Sequence, residues 1–396
     1  MCLCVFVANG IQLKLIMQRI KVLHITQSVG GVETYLKQVI STIDHSKYEL
    51  KIVGTISENL EPYCIQYEVP FKRMKMARGL NPILDIASIF SLKKVLQQER
   101  PACAHLHSAK GGFLGRLACK LARQKSLYTP HALSYLSFTG VKRKLFFALE
   151  KLAGQFTYKL LAISHSEAER LIKDLGQKRE DIYVIPNSLV VENYFYSSFS
   201  NNSNLHSLES EIKIGTIARL TPQKNPLLFI DIANEVIKKE GSRVHFYFLG
   251  VGEHDHLKEE VEARIRQYNI GNNIHLLQRG DLQTSIHFLQ QLDVFLFPSV
   301  FEGLSYALLE AMLQGVPCVV SNVDGNNDVI HNQVNGFACN NLPEYTDAIS
   351  LLINDKQRAA TFGQAAKDYV LKHHDLHKNI HQLEKIYSEF VNMRFN

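Results

Sequence analysis

Short runs rich in β-branched and other apolar residues alternate with segments of helical periodicity along almost the whole chain, and they do so in two blocks. Such alternation commits a chain to parallel sheets with helices on both faces, because two consecutive parallel strands need a crossover between them. In the first block the spacing predicts strands at 20–26, 49–54, 102–107, 126–129, 159–163 and 182–185. Helices are predicted between them at 32–42, 82–98, 112–122, 142–156 and 166–174. The pattern breaks at "NSLVVENYFYSSFSNNSNLHSLES", 187–210, which is rich in Ser and Asn and reads as a linker or surface loop. It resumes with strands at 212–218, 244–249, 273–277, 293–297 and 317–320. Helices follow at 225–239, 254–267, 282–290, 305–314 and 343–354, with two closing helices at 356–372 and 376–391.

The fold class that follows is α/β, with two doubly wound Rossmann-like domains facing a central cleft. Ligands of such sheets sit at the carboxyl ends of the strands. The expected division is an extension at 1–16, a first domain at 17–190, a linker at 191–210 and a second domain at 211–375. The opening stretch has short apolar runs broken by Asn9, Gly10, Gln12 and Lys14. It resembles neither a signal peptide nor a spanning helix, and Met17 opens what reads as the natural first strand.

Composition narrows the class. The chain is 46% hydrophobic and 21% charged, with a formal net charge of +6. That excess is too small to argue for nucleic acid and suits an anionic small ligand or an anionic membrane face. Seven scattered cysteines without a C-x-x-C pair argue for reduced thiols rather than a disulfide scaffold or a zinc site.

Four segments at predicted strand ends could carry chemistry. In "ITQSVGGVETYL", Gly30 and Gly31 precede a helix; the pair serves either an anion at the helix N-terminus or an ordinary tight turn. In "ARLTPQKNP", Arg219 and Lys224 flank a turn set by Pro222 just before a helix, an arrangement suited to a diphosphate or to two solvated charges. In "TPHAL", His131 follows an apolar strand at the cleft edge. In "FEGLSYALLEAML", Glu302 stands beside Gly303, while Glu310 lies inside an apolar helix that Ser305 would cap. The backbone N–H groups of Gly303 and Leu304 would face outward from that helix end. A carboxylate so placed needs a partner. The candidates are an internal Lys or Arg, or a ligand rich in hydroxyl groups.

Taken together, "GGVETYL", "HSAKGGFLGRLACKLA", "YTPHAL", "LLAISHSEAERL", "IYVIPNSL", "IARLTPQKNP", "DVFLFPSVFEGLSYALLEAMLQGVPCVVSNVDG" and "VNGF" resemble, in order, the motifs of the family 4 retaining glycosyltransferases. The Glu302/Glu310 spacing matches that family's E-x7-E element. The resemblance spans about residues 20–340 and implies the GT-B architecture, with the terminal helix, 376–396, packed back on the first domain, and a bacterial enzyme of surface-polysaccharide assembly. It implies that Arg219 and Lys224 contact the donor diphosphate, that Glu310 binds the ribose hydroxyls, and that Glu302 lies near the transferred sugar with the backbone of Gly303, Leu304 and Ser305. Gly30 and Gly31 match the loop at the phosphate edge, and His131 the histidine near the sugar. The co-substrate implied is a nucleotide diphosphate sugar, with no cofactor and no metal. The acceptor implied is a glycan or a polyprenyl-linked sugar, with the enzyme cytoplasmic and peripheral on the inner membrane.

Three departures touch the pattern: Ala132 where the family often has Gly, Asn187-Ser188 in place of "NG", and "GNND" at 325–328 in place of Gly-x-Pro-Glu. Two further stretches stand outside these motifs. Lys142, Arg143 and Lys144 precede Phe146 and Phe147, a pattern that suits an anionic membrane or an ordinary helix with a charged first turn; Lys72, Arg73, Lys75 and Arg78 could extend that surface. His373, His377 and His381, at i, i+4 and i+8, fall near one helix face, a spacing that can bind zinc, but with no Cys or catalytic motif beside them solvated or packed histidines are the expected reading. The alternative functions are a sugar-nucleotide epimerase or phosphorylase of the same fold, and a non-catalytic sugar-binding subunit.

Overall fold

The computed structural model describes residues 18–27, 30–77, 79–195, 211–252, 255 and 257–392. The proposed extension at 1–16, the segment 196–210 of the predicted linker, and Arg78 lie outside the described residues.

The first sheet has seven parallel strands: β1 (Ile20–Thr26), β2 (Tyr48–Gly54), β3 (Phe71–Arg73), β4 (Cys103–His107), β5 (Ser126–Thr129), β6 (Lys159–Ala162) and β7 (Ile182–Val184), in the order β3-β2-β1-β4-β5-β6-β7. Its crossovers are α1 (Gly31–Thr42), α2 (Leu60–Gln66), α3 (Pro82–Glu99), α4 (Ala109–Ala122), α5 (Gly140–Gly154) and α6 (His165–Lys173). The second sheet has six: β8 (Ile212–Ile217), β9 (Val244–Val251), β10 (Ile274–Gln278), β11 (Val294–Phe297), β12 (Cys318–Ser321) and β13 (Phe337–Cys339), in the order β10-β9-β8-β11-β12-β13. With it go α7 (Pro226–Glu240), α8 (Lys258–Tyr268), α9 (Leu282–Gln290), α10 (Tyr306–Leu313), α11 (Leu342–Asn354) and α12 (Lys356–His373), and the chain closes on α13 (Leu376–Asn392). Both sheets reverse direction of growth beside their first strand, between β1 and β4 and between β8 and β11. Each therefore has a topological switch point.

Alternate residues of each central strand enter different cores, which is why these strands read as continuous apolar runs. Val22 packs with Leu36, Val39 and the terminal helix on one side, while Leu23 and Ile25 pack with Leu92 and Leu114 on the other. In β9, Phe246 and Phe248 face α7 and α11, and Tyr247 and Leu249 face α9, α10 and α12. Side-chain caps start several helices as the residue types require: Asn81 accepts from Leu84, Ser164 from Glu167, Asp281 from Thr284 and Asn341 from Glu344. Ser305 occupies the N-cap position of α10, but its side chain makes no capping bond.

Several boundaries differ from the sequence reading. The helix expected from 112 starts at Ala109. The glycines at its start are packing residues: a methyl on Gly111 would come within 3.1 Å of the Thr26 backbone, and one on Gly112 would overlap the Tyr128 ring. Strands β3 and β13 are three-residue edge strands too short to show a pattern of their own, and neither they nor α2 were anticipated. The linker reading also needs correction at its start. Residues Val191–Tyr194 form a 3-10 turn with Val191 and Tyr194 buried.

The chain crosses between the two sheets twice, side by side: Leu189 N–H donates to His374 O (2.8 Å), and Leu376 N–H to Leu189 O (2.8 Å). Helix α13 then lies on the first sheet, burying Ile380, Leu383, Ile386, Tyr387 and Phe390 among Val22, Val39 and Leu50. His377 and His381, on its outer side, pair with Glu192 and Glu384.

Candidate active site

A cleft of about 1180 Å³ runs between the carboxyl ends of the two sheets. All ten residues singled out from the sequence line it: Gly30, Gly31, His131, Arg219, Lys224, Glu302, Gly303, Leu304, Ser305 and Glu310.

One wall begins where β1 ends. Gly30 has φ +57°, a left-handed conformation that glycine adopts freely, and the turn exposes the N-terminus of the twelve-residue α1. The facing wall begins where β8 ends. A Cβ placed on Gly30 would lie 3.6 Å from Nη2 of Arg219, so the guanidinium of one domain rests against the glycine turn of the other. Lys224 closes the 3-10 turn Pro222–Lys224. Its ammonium sits 4.5 Å from the Phe297 ring centroid and 2.5 Å from Glu302 Oε1. Glu302 is buried, and Gln223 Nε2 approaches its second oxygen at 3.4 Å. The site therefore holds a desolvated ion pair, which costs much less than either charge alone.

Glu310 has a different environment. No cation pairs with it among the described residues; Tyr194 donates a hydrogen bond to Oε1 at 2.9 Å. Although part of its surface opens on the cleft, burial pushes its carboxyl up to about 7, opposed by the Tyr194 bond. The internal Lys or Arg considered for this carboxylate is thus not its partner, and the cation of the segment belongs to Glu302. Tyr194 comes from the stretch read as linker, where only the aromatic residues amid Ser and Asn could have signalled a packed role. Asn187, the last residue of "IYVIPN", donates from Nδ2 to Leu304 O at 2.8 Å and so fixes the start of α10 from across the cleft.

His131 and Ala132 are both left-handed, with φ of +56° and +79°. Each such non-glycine residue costs about 1–3 kcal/mol, and the surroundings must hold it. Glu167 does so by accepting from Ala132 N–H (2.8 Å) and Ile163 N–H (2.9 Å). Burial raises the Glu167 carboxyl to about 7, opposed by those two bonds. The positive φ at Ala132 also explains a departure noted above, since glycine is the residue this position favours. On the other side, a Cβ on Gly303 would lie 3.0 Å from Ala132 N, so the two loops nearly touch. The "GNND" turn stands beside them: Asp328 accepts from Ser166 N–H at 3.1 Å, joining the second domain to α6. Burial holds His131 well below the usual imidazole range, at about 3.

Both halves of the chain have recognisable relatives. Residues 29–192 match the model of Glycosyltransferase Family 4, and residues 200–369 match Glycosyl transferases group 1. An Escherichia coli protein, UDP-Gal:alpha-D-GlcNAc-diphosphoundecaprenol alpha-1,3-galactosyltransferase, is 27% identical over 94% of this chain and 98% of its own length. A second Escherichia coli protein, O-antigen biosynthesis glycosyltransferase WbnH, is 27% identical over 75% of this chain and 79% of its own. Among solved structures, Anabaena Alr3699/HepE in complex with UDP and glucose superposes with a TM-score of 0.79 at 20% identity, covering 93% of this chain and all of that one. The chain is therefore a GT-B-fold glycosyltransferase related to the group 1 and family 4 glycosyltransferases.

Proposed function

We propose that this glycosyltransferase moves a sugar, with retention of anomeric configuration, from a nucleotide diphosphate donor to a glycan or polyprenyl-linked acceptor in the synthesis of a capsule, exopolysaccharide or O-antigen. The observation that carries the reading is the meeting of Arg219, Lys224 and the α1 N-terminus in one cleft with two glutamates in contrasting environments. Arg219, Lys224 and the glycine turn at 30–31 hold the diphosphate, whose charge they offset as it leaves. Glu310 accepts from the ribose hydroxyls. Glu302 and the backbone of Gly303, Leu304 and Ser305 hold the hydroxyls of the sugar that moves, and His131 steadies its reacting face.

The bond from sugar C1 to the β-phosphate oxygen breaks with its electron pair going to that oxygen. The acceptor hydroxyl oxygen bonds C1 on the same face, and its proton passes to the departing phosphate oxygen. In this reading cations of the chain replace a metal. The test is a panel of nucleotide sugars scored by nucleoside diphosphate release, with membrane lipid extract as acceptor source. Acceptor-dependent release that survives EDTA, with an α-linked product from an α-linked donor, is the expected result. Conversion of the donor without acceptor would replace the reading with an epimerase, and no turnover of any donor would leave a sugar-binding subunit.

The acceptor class and membrane contact rest on the far arm of the cleft. It is lined by Leu80, Phe113, Phe138, Leu145, Phe146 and Leu149, with Phe138 stacked on Phe146 at 4.3 Å. Beside it Val141, Lys142, Arg143 and Lys144 are all exposed on α5, and Ile83, Ile86 and Phe90 are exposed on α3. Of the second basic group, Arg73 is drawn to Glu61. Among the described residues no helix is long and apolar enough to cross a membrane. An apolar, cationic rim of this kind suits peripheral contact with an anionic bilayer at the cytoplasmic face. Flotation with phosphatidylglycerol-containing vesicles should carry the protein, and Lys142→Gln/Arg143→Gln/Lys144→Gln should weaken binding about 100-fold, at about 1 kcal/mol per charge. Absence of flotation by the unaltered chain sinks this part of the proposal.

A further inference from the structure

Behind His131, three more histidines fill the interior of the first sheet. His24 lies on β1, and His105 and His107 lie on β4; all three are fully buried. His24, His105 and His107 offer ring nitrogens within 4.8 Å of one another, which raises a metal site. The ring geometry argues against it. His24 Nδ1 faces His107 Nε2 at 2.9 Å with the rings 14° from parallel, and His107 Nδ1 faces His131 Nε2 at 3.0 Å with the rings at 31°. Two nitrogens on a tetrahedral zinc at 2.0–2.1 Å stand about 3.3 Å apart with lone pairs aimed at the metal; here they are aimed at each other. His105 is held separately, by Tyr387 of α13 (2.7 Å) and Thr129 (2.8 Å). The arrangement is a hydrogen-bonded chain of imidazoles, His24–His107–His131, leading from the core to the cleft.

Burial lowers the basicity of every member: His24 falls to about 3 and His107 well below its usual value. A chain of neutral imidazoles has one N–H per ring, so the bonds all point the same way and one end decides which. The inner end decides here. Among the described residues, Nε2 of His24 is buried without a hydrogen-bond partner. A buried N–H without an acceptor is costlier and rarer than a lone pair without a donor. Nε2 of His24 is therefore the bare nitrogen, and the proton is on Nδ1, donated to His107 Nε2. His107 in turn donates from Nδ1 to His131 Nε2, which leaves the His131 proton on Nδ1.

We propose that His107 and His24 are positioning residues for His131, holding its ring with the proton on Nδ1 so that it meets the donor sugar as a fixed hydrogen-bond donor. The inference rests on the donor-site reading above for its catalytic meaning, but not for the chain itself. All three rings then carry the tautomer that free histidine disfavours, which makes the chain visible by spectroscopy.

The experiment uses the full chain labelled with nitrogen-15 in the histidine rings, with long-range proton–nitrogen correlation spectra near neutral pH. His131→Ala identifies the His131 signals. Wild type should show His131 protonated on Nδ1. His107→Leu should return His131 to the Nε2–H form and lower kcat for donor cleavage about tenfold or more with donor KM roughly unchanged. His107→Asn, whose amide nitrogen can stand where Nδ1 stood, should keep the Nδ1–H form and restore about a third or more of the lost kcat. An Nε2–H signal for His131 in wild type overturns the proposal, as does a His107→Leu variant with unaltered tautomer or an Asn variant no better than Leu. If the Leu variant does not fold, the wild-type tautomer and the Asn variant decide. A wild-type chain with the Nδ1–H signal that turns over no nucleotide sugar overturns the functional reading and leaves the imidazole chain standing.

Discussion

Lys224→Ala is expected to lower the rate of donor cleavage about 100- to 1,000-fold, the loss typical of removing one charge that meets a developing anion in a desolvated site. Its ammonium is mostly covered and lies 2.5 Å from the buried Glu302 carboxylate. Truncation therefore does two things. On the proposed reading it removes a cation from the diphosphate, and it strands Glu302, a change that destabilises a fold by about 3–5 kcal/mol where a buried pair loses one member. The double variant Lys224→Ala/Glu302→Gln separates them. It should recover most of the thermal stability lost by Lys224→Ala, because no unpaired charge remains. It should recover none of the activity, because the diphosphate still lacks its cation. Melting temperature and single-turnover cleavage are the two measurements. Normal turnover by Lys224→Ala would remove Lys224 from the chemistry. Regained turnover in the double variant would reduce it to a counter-ion for Glu302.

That coupling was only half legible in the sequence. Strand–helix alternation located nearly every central strand, because β1, β4, β8, β11 and β12 are covered on both faces, buried at nearly every position and rich in apolar residues. Positions at strand ends then selected candidate residues that do converge on one cleft. What stayed hidden was pairing. Glu302 meets a lysine 78 positions away, and Glu310 a tyrosine 116 positions away in a stretch whose composition reads as linker. Local pattern contains neither distance. The histidine chain was hidden for another reason. His24, His105 and His107 sit inside strands whose neighbours are all core residues, and nothing local distinguishes a histidine bonded to another histidine from one that is merely packed. Short edge strands such as β13 form because a neighbour offers free backbone groups, a cause outside their own sequence.

Glu310 gives the second large effect, and its sign can be worked out. Its folded pKa, about 7, lies above the ordinary carboxyl value because of burial. Between about 4.5 and 7 the native state holds a proton that the unfolded state releases. The slope of stability with pH is then negative in that window. This contribution is fully present below the unfolded pKa and is lost as pH rises through 7. Glu167, raised to about 7 by the same cause, acts in the same direction. Ligand binding runs the opposite way. Ribose hydroxyls donate best to an ionised carboxylate, so donor affinity should climb through pH 7 and level off above it. If only the ionised form binds well, the rise below 7 approaches tenfold per pH unit. An intact nucleotide sugar is the right probe, because its diphosphate has no proton that titrates in this range. Glu310→Gln should bind about 10- to 100-fold more weakly at pH 8, the loss of charge-assisted hydrogen bonds to the ribose. Its affinity should no longer change with pH, and its preference for ribose over 2′-deoxyribose should shrink. Glu167→Gln, with Glu310 intact, should keep the slope. Calorimetric titrations of the three proteins from pH 5.5 to 8.5 decide the matter. An unchanged slope in Glu310→Gln would assign the titration to another group and detach Glu310 from the ribose.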